Sequence, residues 1–351
     1  MTHATAPALV ANQTPKPFGT LSGVYLRPGR LSDVDALYGL AEQTGPGFTS
    51  LVTDRDLLAS RLAVAEESFA SHQLTNSYAD YILIAEKPYS GEVVGCSTIK
   101  AADGPRPDFL NYHLERAVDG TATHLLATDA LADAAEVGSL FAAPSARGTG
   151  AGRLLAQGRY MLMAANPDRF PPMVMAELRG LGSDEDEPAL WKCLGQKLYK
   201  MSFATADEKV GSGDTAFMIE GTPRTPIPLT DLSMEAIAAL GACHPDGEPA
   251  LRLLRREGFE DIDIVDLFDG GLIVATPVKN LRTLKESQRL SISPAAHLTN
   301  TERLLISNDR VHDFRCTIAD VAVEGDKILA PATVLSCLNL TAGDNARVMT
   351  P

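Results

Sequence analysis

The stretch from Ser139 to Gly152, SLFAAPSARGTGAG, contains the residue types of an anion-binding loop. An apolar segment predicts a short strand that contains Leu140, Phe141 and Ala143 and ends at Pro144. The loop after it leads into a predicted helix over 153–165 and contains Arg147, Gly148, Gly150 and Gly152. Glycines let the backbone approach a diphosphate closely, and the N–H groups and positive dipole end of the helix stabilise its charge. We therefore expect this loop to bind a phosphate group.

The spacing of these glycines excludes two common phosphate loops. A Walker loop continues with Lys and then Ser or Thr, whereas Arg153 and Leu154 follow the last glycine here. A dinucleotide fingerprint requires Gly-x-Gly-x-x-Gly, which positions 148, 150 and 152 do not provide. The loop instead resembles, in general form but not in every spacing, the acyl-CoA pyrophosphate loop of the GNAT superfamily of N-acyltransferases. The alternative is a glycine-rich turn without a ligand.

Charged residues after this loop could bind an amine and a carboxylate. A strand is predicted over 173–179 (MVMAELR), and the spacing of Glu177 and Arg179 places both on one of its faces. Arg179 could bind a carboxylate through two hydrogen bonds, and Glu177 could bind a cationic group. The alternative is an ion pair outside the site. A nearby acidic cluster could bind a guanidinium or form a solvated turn, and its spacing predicts no metal site; its members are Asp263, Asp266 and Asp269.

Hydrophobic periodicity predicts the elements that position these residues. They are a strand over 24–27, a helix over 30–42, a second helix with Leu57, Leu58, Leu62 and Val64 on its apolar face, and antiparallel strands over 81–85 and 93–99. A long, irregular connection is predicted over 103–133. A helix over 188–199 follows the strand at 173–179, with Trp191 expected in the core. The strand-helix-helix-strand-strand order before the glycine loop is that of a GNAT fold.

The second half of the chain predicts further helices and strands. The segment PRTPIP at 223–228 is predicted to be a linker, followed by helices over 233–240 and 249–257 and a strand over 261–268. Residues 249–259 (PALRLLRREGF) are similar to residues 188–198 (PALWKCLGQKL), which allows an internal duplication. We predict an α/β (α+β) fold: a GNAT-like mixed sheet flanked by helices, possibly duplicated, with a small C-terminal α+β appendage. The predicted divisions are a disordered tail (1–20), an acyl-CoA-binding domain (21–222), a second GNAT-like part (223–300) and a strand-rich appendage (301–351).

Composition narrows the classes of partner. The 351 residues carry a formal net charge of −14, which argues against a broad nucleic-acid or anionic-membrane surface. Five scattered cysteines without a Cys-x-x-Cys pair are typical of a reducing compartment and predict no structural zinc. Neither a membrane-spanning run nor a signal peptide is predicted, so we expect a cytoplasmic location.

Three segments extend the resemblance to a particular family. LRPGRLSDVDALYGLAEQTGPGFTSL (26–51), MVMAELRG (173–180) and HPDGEPALRLLRREGFEDIDIVDLFDGG (244–271) resemble the arginine N-succinyltransferases over roughly 24–348. The resemblance implies transfer of the succinyl group of succinyl-CoA to the α-amino group of L-arginine, without a metal. It also implies that His244 is the proton donor, that Leu140 contacts succinyl-CoA, and that the enzyme forms a homo-oligomer or pairs with a paralogous subunit.

The sequence alone leaves two questions open: the role of His244 and the identity of the acceptor amine. Imidazole titrates near neutral pH, which suits proton transfer, but His244 before Pro245 could also be a capping or loop histidine. The chain differs from the family pattern at 128–137 (TDALADAAEV) and at His113, which makes ornithine or another amino acid an alternative acceptor. A non-catalytic partner subunit is the alternative from another class.

Overall fold

The computed structural model describes residues 23–44, 51–71, 79–101, 106, 109–146, 148–182 and 187–351. The predicted tail over 1–20 and the loop residue Arg147 lie outside these residues. The α-helices of the described residues are α1 (Val34–Ala41), α2 (Arg55–Ala70), α3 (Ala151–Ala165), α4 (Gln196–Tyr199), α5 (Phe203–Gly211), α6 (Ala216–Gly221), α7 (Met234–Ala239), α8 (Glu248–Glu257), α9 (Arg282–Glu286) and α10 (Ala332–Cys337).

The strands of the described residues form a mixed sheet in the order β12-β15-β11-β14-β13-β1-β2-β3-β6-β7-β10-β9-β4-β5-β8. Their bounds are β1 (Tyr25–Pro28), β2 (Ala79–Glu86), β3 (Val93–Ala101), β4 (Asn111–Arg116), β5 (Ala122–Thr128), β6 (Ala135–Ala142), β7 (Met173–Glu177), β8 (Ile227–Pro228), β9 (Glu260–Val265), β10 (Leu272–Pro277), β11 (Gln288–Pro294), β12 (Glu302–Asn308), β13 (Cys316–Glu324), β14 (Lys327–Ala330) and β15 (Asn345–Met349).

The helices and strands predicted over 24–99 are confirmed. The carboxylate of Asp54 caps α2 by accepting the N–H groups of Asp56 and Leu57. Apolar residues three or four apart along α2, among them Leu58 and Leu62, are buried against the sheet. β2 and β3 pair antiparallel on either side of the predicted turn. These elements form one layer of the fold.

The two faces of the sheet around β6 are covered by different helices. On one face, alternate residues of β2 and β3 such as Tyr81 and Ile99 pack with α3 in the largest apolar core. On the other face, Ile82 and Cys96 pack with α1 and α2. The glycine loop precedes α3, so the loop lies at one end of this central layer.

The prediction of an irregular connection over 103–133 is wrong. This stretch contains a hairpin, in which β4 and β5 pair antiparallel around a turn with Asp119 and Gly120. Gly120 has φ +86°, which a hairpin turn requires and glycine adopts easily. Most β5 residues are only partly buried, so no continuous apolar run marked the strand.

Three other predicted boundaries differ in the structure. The predicted linker at 223–228 ends in strand β8, which pairs with β5 at the edge of the sheet, where prolines are tolerated. The strand predicted over 173–179 ends at Glu177. The predicted helix over 188–199 is present but contains a π-turn at Trp191–Gly195. The Trp191 side chain is fully buried, stacked between Tyr199 and Phe268, which confirms its place in the core.

The C-terminal strands form a closed barrel. β12 pairs with both β13 and β15, and β11 and β14 complete a ring of five strands that α10 packs against. β13 also pairs with β1, so it is a strand of the barrel and of the central sheet at once. The predicted C-terminal α+β part is confirmed, whereas the domain boundaries and the internal duplication stay predictions.

Candidate active site

A cleft opens where strands β6 and β7 separate. The two strands are parallel, and their pairing is confined to Ala135 with Val174 and Glu136 with Met175. Ser139, further along β6, has φ +48°, a left-handed conformation that breaks the regular strand. β6 therefore continues beyond its pairing with β7 and leaves an open edge between the two strands.

The open edge presents backbone groups of Leu140. The N–H of Ala143 donates to the carbonyl of Val94 on β3 (2.8 Å). Because backbone groups alternate between the two edges of a strand, those of Leu140 and Ala142 face away from β3, toward the cleft. Leu140 thus lies where the resemblance placed it, on the strand before the loop, and its contact with CoA stays a prediction.

The glycine loop has the backbone conformation of an anion site. Gly148 and Gly150 have φ values of +78° and +85°, and Gly150 is the N-terminal cap residue of α3. A Cβ atom added at Gly148, Gly150 or Gly152 would meet no atom within 4 Å, so the space in front of the loop is open. The N–H of Ala151 donates to Thr149 Oγ1 (3.3 Å), and the next N–H groups of the first turn, those of Gly152 and Arg153, point out of the helix end.

Glu177 is the last residue of β7 and lies beside the cleft. Its side chain is exposed, and its Oε1 accepts a hydrogen bond from Asn111 Nδ2 (3.3 Å). Desolvation of the carboxyl group by the protein around it raises the pKa of Glu177 to about 8, and repulsion from the carboxylates of Glu136 and Asp266 adds to this shift. A carboxyl group with such a pKa can change its protonation state near neutral pH.

A cluster of charged side chains that the sequence analysis missed lies next to Glu177. Glu136 forms ion pairs with Lys100 (2.9 Å) and Arg106 (3.0 Å). Burial raises the pKa of Glu136, but the charges and hydrogen bonds of these two cations outweigh burial and hold the pKa at about 2. The sequence did contain a signal for this cluster. Lys100 is the only charged residue of strand VVGCSTIKA, Glu136 is the only charged residue of strand AEVGSLFA, and each lies next to a strand end.

His244 lies close to the end of β7. Its N–H donates to the carbonyl of Arg179 (2.7 Å), and its side chain is 21% exposed. His244 Nδ1 accepts the N–H of Asp246 (3.2 Å), so the neutral ring carries its proton on Nε2. The capping role that the sequence left open is therefore present, and it orients the ring. The catalytic role of His244 stays a prediction.

The family segments at 173–180 and 244–271 contact each other at this point. Asp269 accepts the N–H groups of Gly180 (2.7 Å) and Gly271 (2.6 Å), and the N–H of Leu178 donates to Leu272 (3.0 Å). A Cβ added to Gly271 would be only 2.3 Å from the carbonyl oxygen of Leu178. This close packing fixes the chain between β7 and His244.

The acidic cluster and Arg179 differ from their predicted arrangement. Asp263 pairs with Arg116 (2.7 Å) at an exposed position, whereas Asp266 accepts backbone N–H groups of its own turn. Because β7 ends at Glu177, strand alternation does not place Arg179 on the face of Glu177. The roles of Arg179 and Glu177 in binding substrate stay predictions.

The described residues contain neither a metal-binding cluster nor a membrane-spanning helix. No group of three or more His, Cys, Asp or Glu side chains is arranged to hold a metal ion. Among the helices that the structure describes, none combines the length and apolar character needed to cross a membrane.

Comparison with known proteins gives consistent matches along the chain. The family model for the arginine N-succinyltransferase beta subunit matches residues 24–283, and the model for its C-terminal domain matches residues 288–350. The arginine N-succinyltransferase of Citrobacter koseri is 31% identical over 338 residues, which cover 92% of this chain and 96% of that protein. The enzyme of Salmonella typhi is 31% identical over 340 residues with the same coverage.

A solved structure confirms the fold. The arginine/ornithine succinyltransferase subunit AI from Pseudomonas aeruginosa superposes with a TM-score of 0.80 at 23% identity, covering 93% of this chain and 98% of that chain. The predicted α+β fold, a mixed sheet flanked by helices with a C-terminal α+β part, is confirmed by this structure. The acyltransferase class of enzyme is confirmed by the family and its relatives. The chain belongs to the arginine N-succinyltransferase family.

Proposed function

We propose that this protein transfers the succinyl group of succinyl-CoA to the α-amino group of L-arginine, giving N2-succinyl-L-arginine and CoA. Family membership supports this reaction. The observation that carries it is the cleft between β6 and β7, which has the glycine loop at the start of α3 on one side and Glu177 and His244 near the end of β7.

The cleft suits an acyl-CoA. The loop of Arg147, Gly148, Gly150 and Gly152 binds the pyrophosphate through backbone N–H groups and the helix dipole. The open edge of β6, with the backbone groups of Leu140, offers hydrogen bonds to the amides of the pantetheine arm. Binding both substrates in one cleft replaces a bimolecular encounter and supplies much of the rate.

Two side chains move the protons of the reaction. The nitrogen of the α-amino group forms a bond to the thioester carbon, and the bond from that carbon to sulfur breaks. The α-ammonium first gives one proton to solvent, and ionised Glu177 then binds the amine and takes the second proton, which the nitrogen loses as the amide forms. The protonated form of His244, in which Nδ1 no longer accepts the N–H of Asp246, gives its Nε2 proton to the departing sulfur. The Asp246 carboxylate, 3.7 Å from Nδ1, stabilises this protonated ring.

The acceptor amine is tested by thiol release from succinyl-CoA with arginine, with ornithine and without an amine. Release with arginine supports the proposal, and release with ornithine alone would replace it by the ornithine reaction. Ornithine is the second candidate because the Pseudomonas relative is named for both amino acids and residues 128–137 differ from the family pattern. Silence in all three assays, with CoA still bound, would support the non-catalytic subunit instead.

The role of His244 is tested by His244→Ala. We expect CoA affinity to stay within twofold while kcat falls by about 10²–10⁴-fold, because general acid catalysis acts in the transition state. His312→Ala, at an exposed position in the C-terminal region, is the matched control and should leave both values unchanged. Full activity of His244→Ala would remove this residue from the mechanism.

The family description and the name of the relative both refer to a subunit. We infer that the chain assembles with a second copy or with a paralogous subunit. Light scattering of the purified chain tests this: a mass of one chain, unchanged in the presence of the paralogue, would contradict the assembly.

A further inference from the structure

A row of charged residues crosses the sheet face that α1 and α2 only partly cover. Asp80 on β2 pairs with Lys100 on β3, and Lys100 pairs with Glu136 on β6, so their side chains lie side by side on one face. Glu136 lies beside Met175 on β7, and Glu177 follows two residues later on the same face. We call the floor formed by Asp80, Lys100, Glu136 and Glu177 the polar trench.

Two arginines border the polar trench from opposite sides. Arg61 of α2 pairs with Asp80 (3.1 Å), and Arg106, before β4, pairs with Glu136 (3.0 Å). The guanidinium of Arg106 also stacks on the ring of Phe109 (3.8 Å), which holds it in place. The trench therefore runs between α2 and Arg106, and it reaches Glu177 at the cleft.

Among the described residues, the trench places the cations of Arg61, Lys100 and Arg106 beside the carboxyl groups of Asp80, Glu136 and Glu177. Lys100 lies within this row, between Asp80 and Glu136. Ions are removed from water only at a large cost, so a partly buried ammonium favours contact with carboxylate groups.

Lys100 is the cation that a ligand can reach. Its side chain is 24% exposed, against 16% for Arg106 and 11% for Glu136. Among the described residues its ammonium has one hydrogen-bond partner, Oε1 of Glu136, and an ammonium has three N–H donors. Lys100 can therefore bind a second carboxylate without giving up its ion pair.

Succinyl transfer to an amino acid brings two carboxylates into the cleft, one on the acceptor and one at the far end of the succinyl group. We propose that the polar trench is a carboxylate subsite in which Lys100 binds one of these two groups, a proposal that rests on the proposed function. The chemistry is the same for both sources, and substrate analogues distinguish them.

The test compares two variants that differ only in Lys100. Glu136→Gln keeps the ammonium, and the double variant Lys100→Met with Glu136→Gln removes it without leaving an unpaired buried carboxylate. Each is assayed with arginine against agmatine, which lacks the α-carboxylate, and with succinyl-CoA against butyryl-CoA, which lacks the terminal carboxylate. Lys87→Met, which breaks a similar pair with Glu92 (2.8 Å) at the turn between β2 and β3, is the control.

We expect kcat/KM of the double variant to fall by about 10- to 100-fold relative to Glu136→Gln for the substrate whose carboxylate is bound, mainly through KM. The analogue without that carboxylate should change by less than twofold. A loss with arginine but not agmatine assigns the α-carboxylate, and a loss with succinyl-CoA but not butyryl-CoA assigns the succinyl group. Lys100→Arg should retain the preference.

An equal fall in kcat/KM with all four compounds, or no fall with any of them, would overturn the proposed subsite. If the wild-type chain releases no CoA with any amine, the proposed function fails. Dissociation constants of the same four compounds, measured by calorimetry, still decide whether Lys100 binds a carboxylate.

Discussion

Gly271→Ala tests whether close packing between the start of β10 and the end of β7 positions His244. Gly271 does not have a positive φ, so alanine is allowed at this position by its backbone. The added Cβ would be 2.3 Å from Leu178 O, 2.7 Å from Gly180 N and 2.8 Å from Asp269 Oδ1. Two of these three atoms belong to the backbone, so the clash cannot be relieved by rotating a side chain.

The size of the effect follows from these distances. Ordinary contact begins near 3.4 Å, so the chain at Leu178 must move by about 1 Å. The movement displaces Arg179, whose carbonyl accepts the N–H of His244 (2.7 Å), and loosens the two N–H bonds to Asp269. We expect about 1–3 kcal/mol of lost stability from overpacking. We expect kcat to fall by about 10²-fold, because a 1 Å misplacement of a reacting group can have that effect.

The assay combines thiol-release kinetics with thermal unfolding and CoA binding. Gly39→Ala is the matched control, because Gly39 lies in α1, has no positive φ and has no atom within 4 Å of an added Cβ. The control should gain about 0.5–1 kcal/mol and keep its activity. Wild-type kcat and melting temperature in Gly271→Ala would refute the argument that this packing sets the site. A folded Gly271→Ala that has lost CoA binding would refute it as well, since the glycine loop is on another element.

Two further predictions concern the loop and Glu177. Gly150→Asp should weaken CoA binding by at least about 10-fold, because it adds a negative charge at the proposed phosphate site. Gly343→Asp is the control: Gly343 has a similar φ of +90° and equally open surroundings, and this variant should bind CoA normally. Equal affinity in the two variants would place the CoA site elsewhere. Because the pKa of Glu177 is raised to about 8, the group is protonated below that pH, and kcat/KM for arginine should fall as the pH drops below 8. Glu177→Gln should lower kcat/KM by about 10²-fold or more and abolish this inflection, and an unchanged inflection would assign it to another group.

Much of the central layer was predictable because local patterns and tertiary packing agree there. Glycines at 148 and 150 adopt left-handed conformations that other residues avoid, so the pattern itself indicated the loop. The apolar periodicity of α2 matches its buried face, and the apolar run YILIA matches a strand, β2, that is buried on both faces. Trp191 followed the usual preference of large aromatic residues for the core.

The rest depends on pairing between distant parts of the chain. The hairpin of β4 and β5 is half-buried because other elements cover it, and its own residues carry no strong strand pattern. The polar trench could not be read from the sequence because Asp80, Lys100 and Glu136 become neighbours only through strand register. The packing of Asp269 against Gly180 joins positions 89 residues apart, and no local rule predicts such a contact.

The shared strand β13 makes the C-terminal barrel part of the support of the glycine loop. β13 pairs with β1 in the central sheet, and its residue Cys316, together with Phe314, packs in the same apolar core as α3. Cutting the chain before the barrel would leave β1 with an unpaired edge and α3 with an uncovered apolar surface. Cooperative unfolding therefore includes both parts, and a destabilising substitution in the barrel lowers the amount of folded glycine loop in a cell even though the barrel is far from it in sequence.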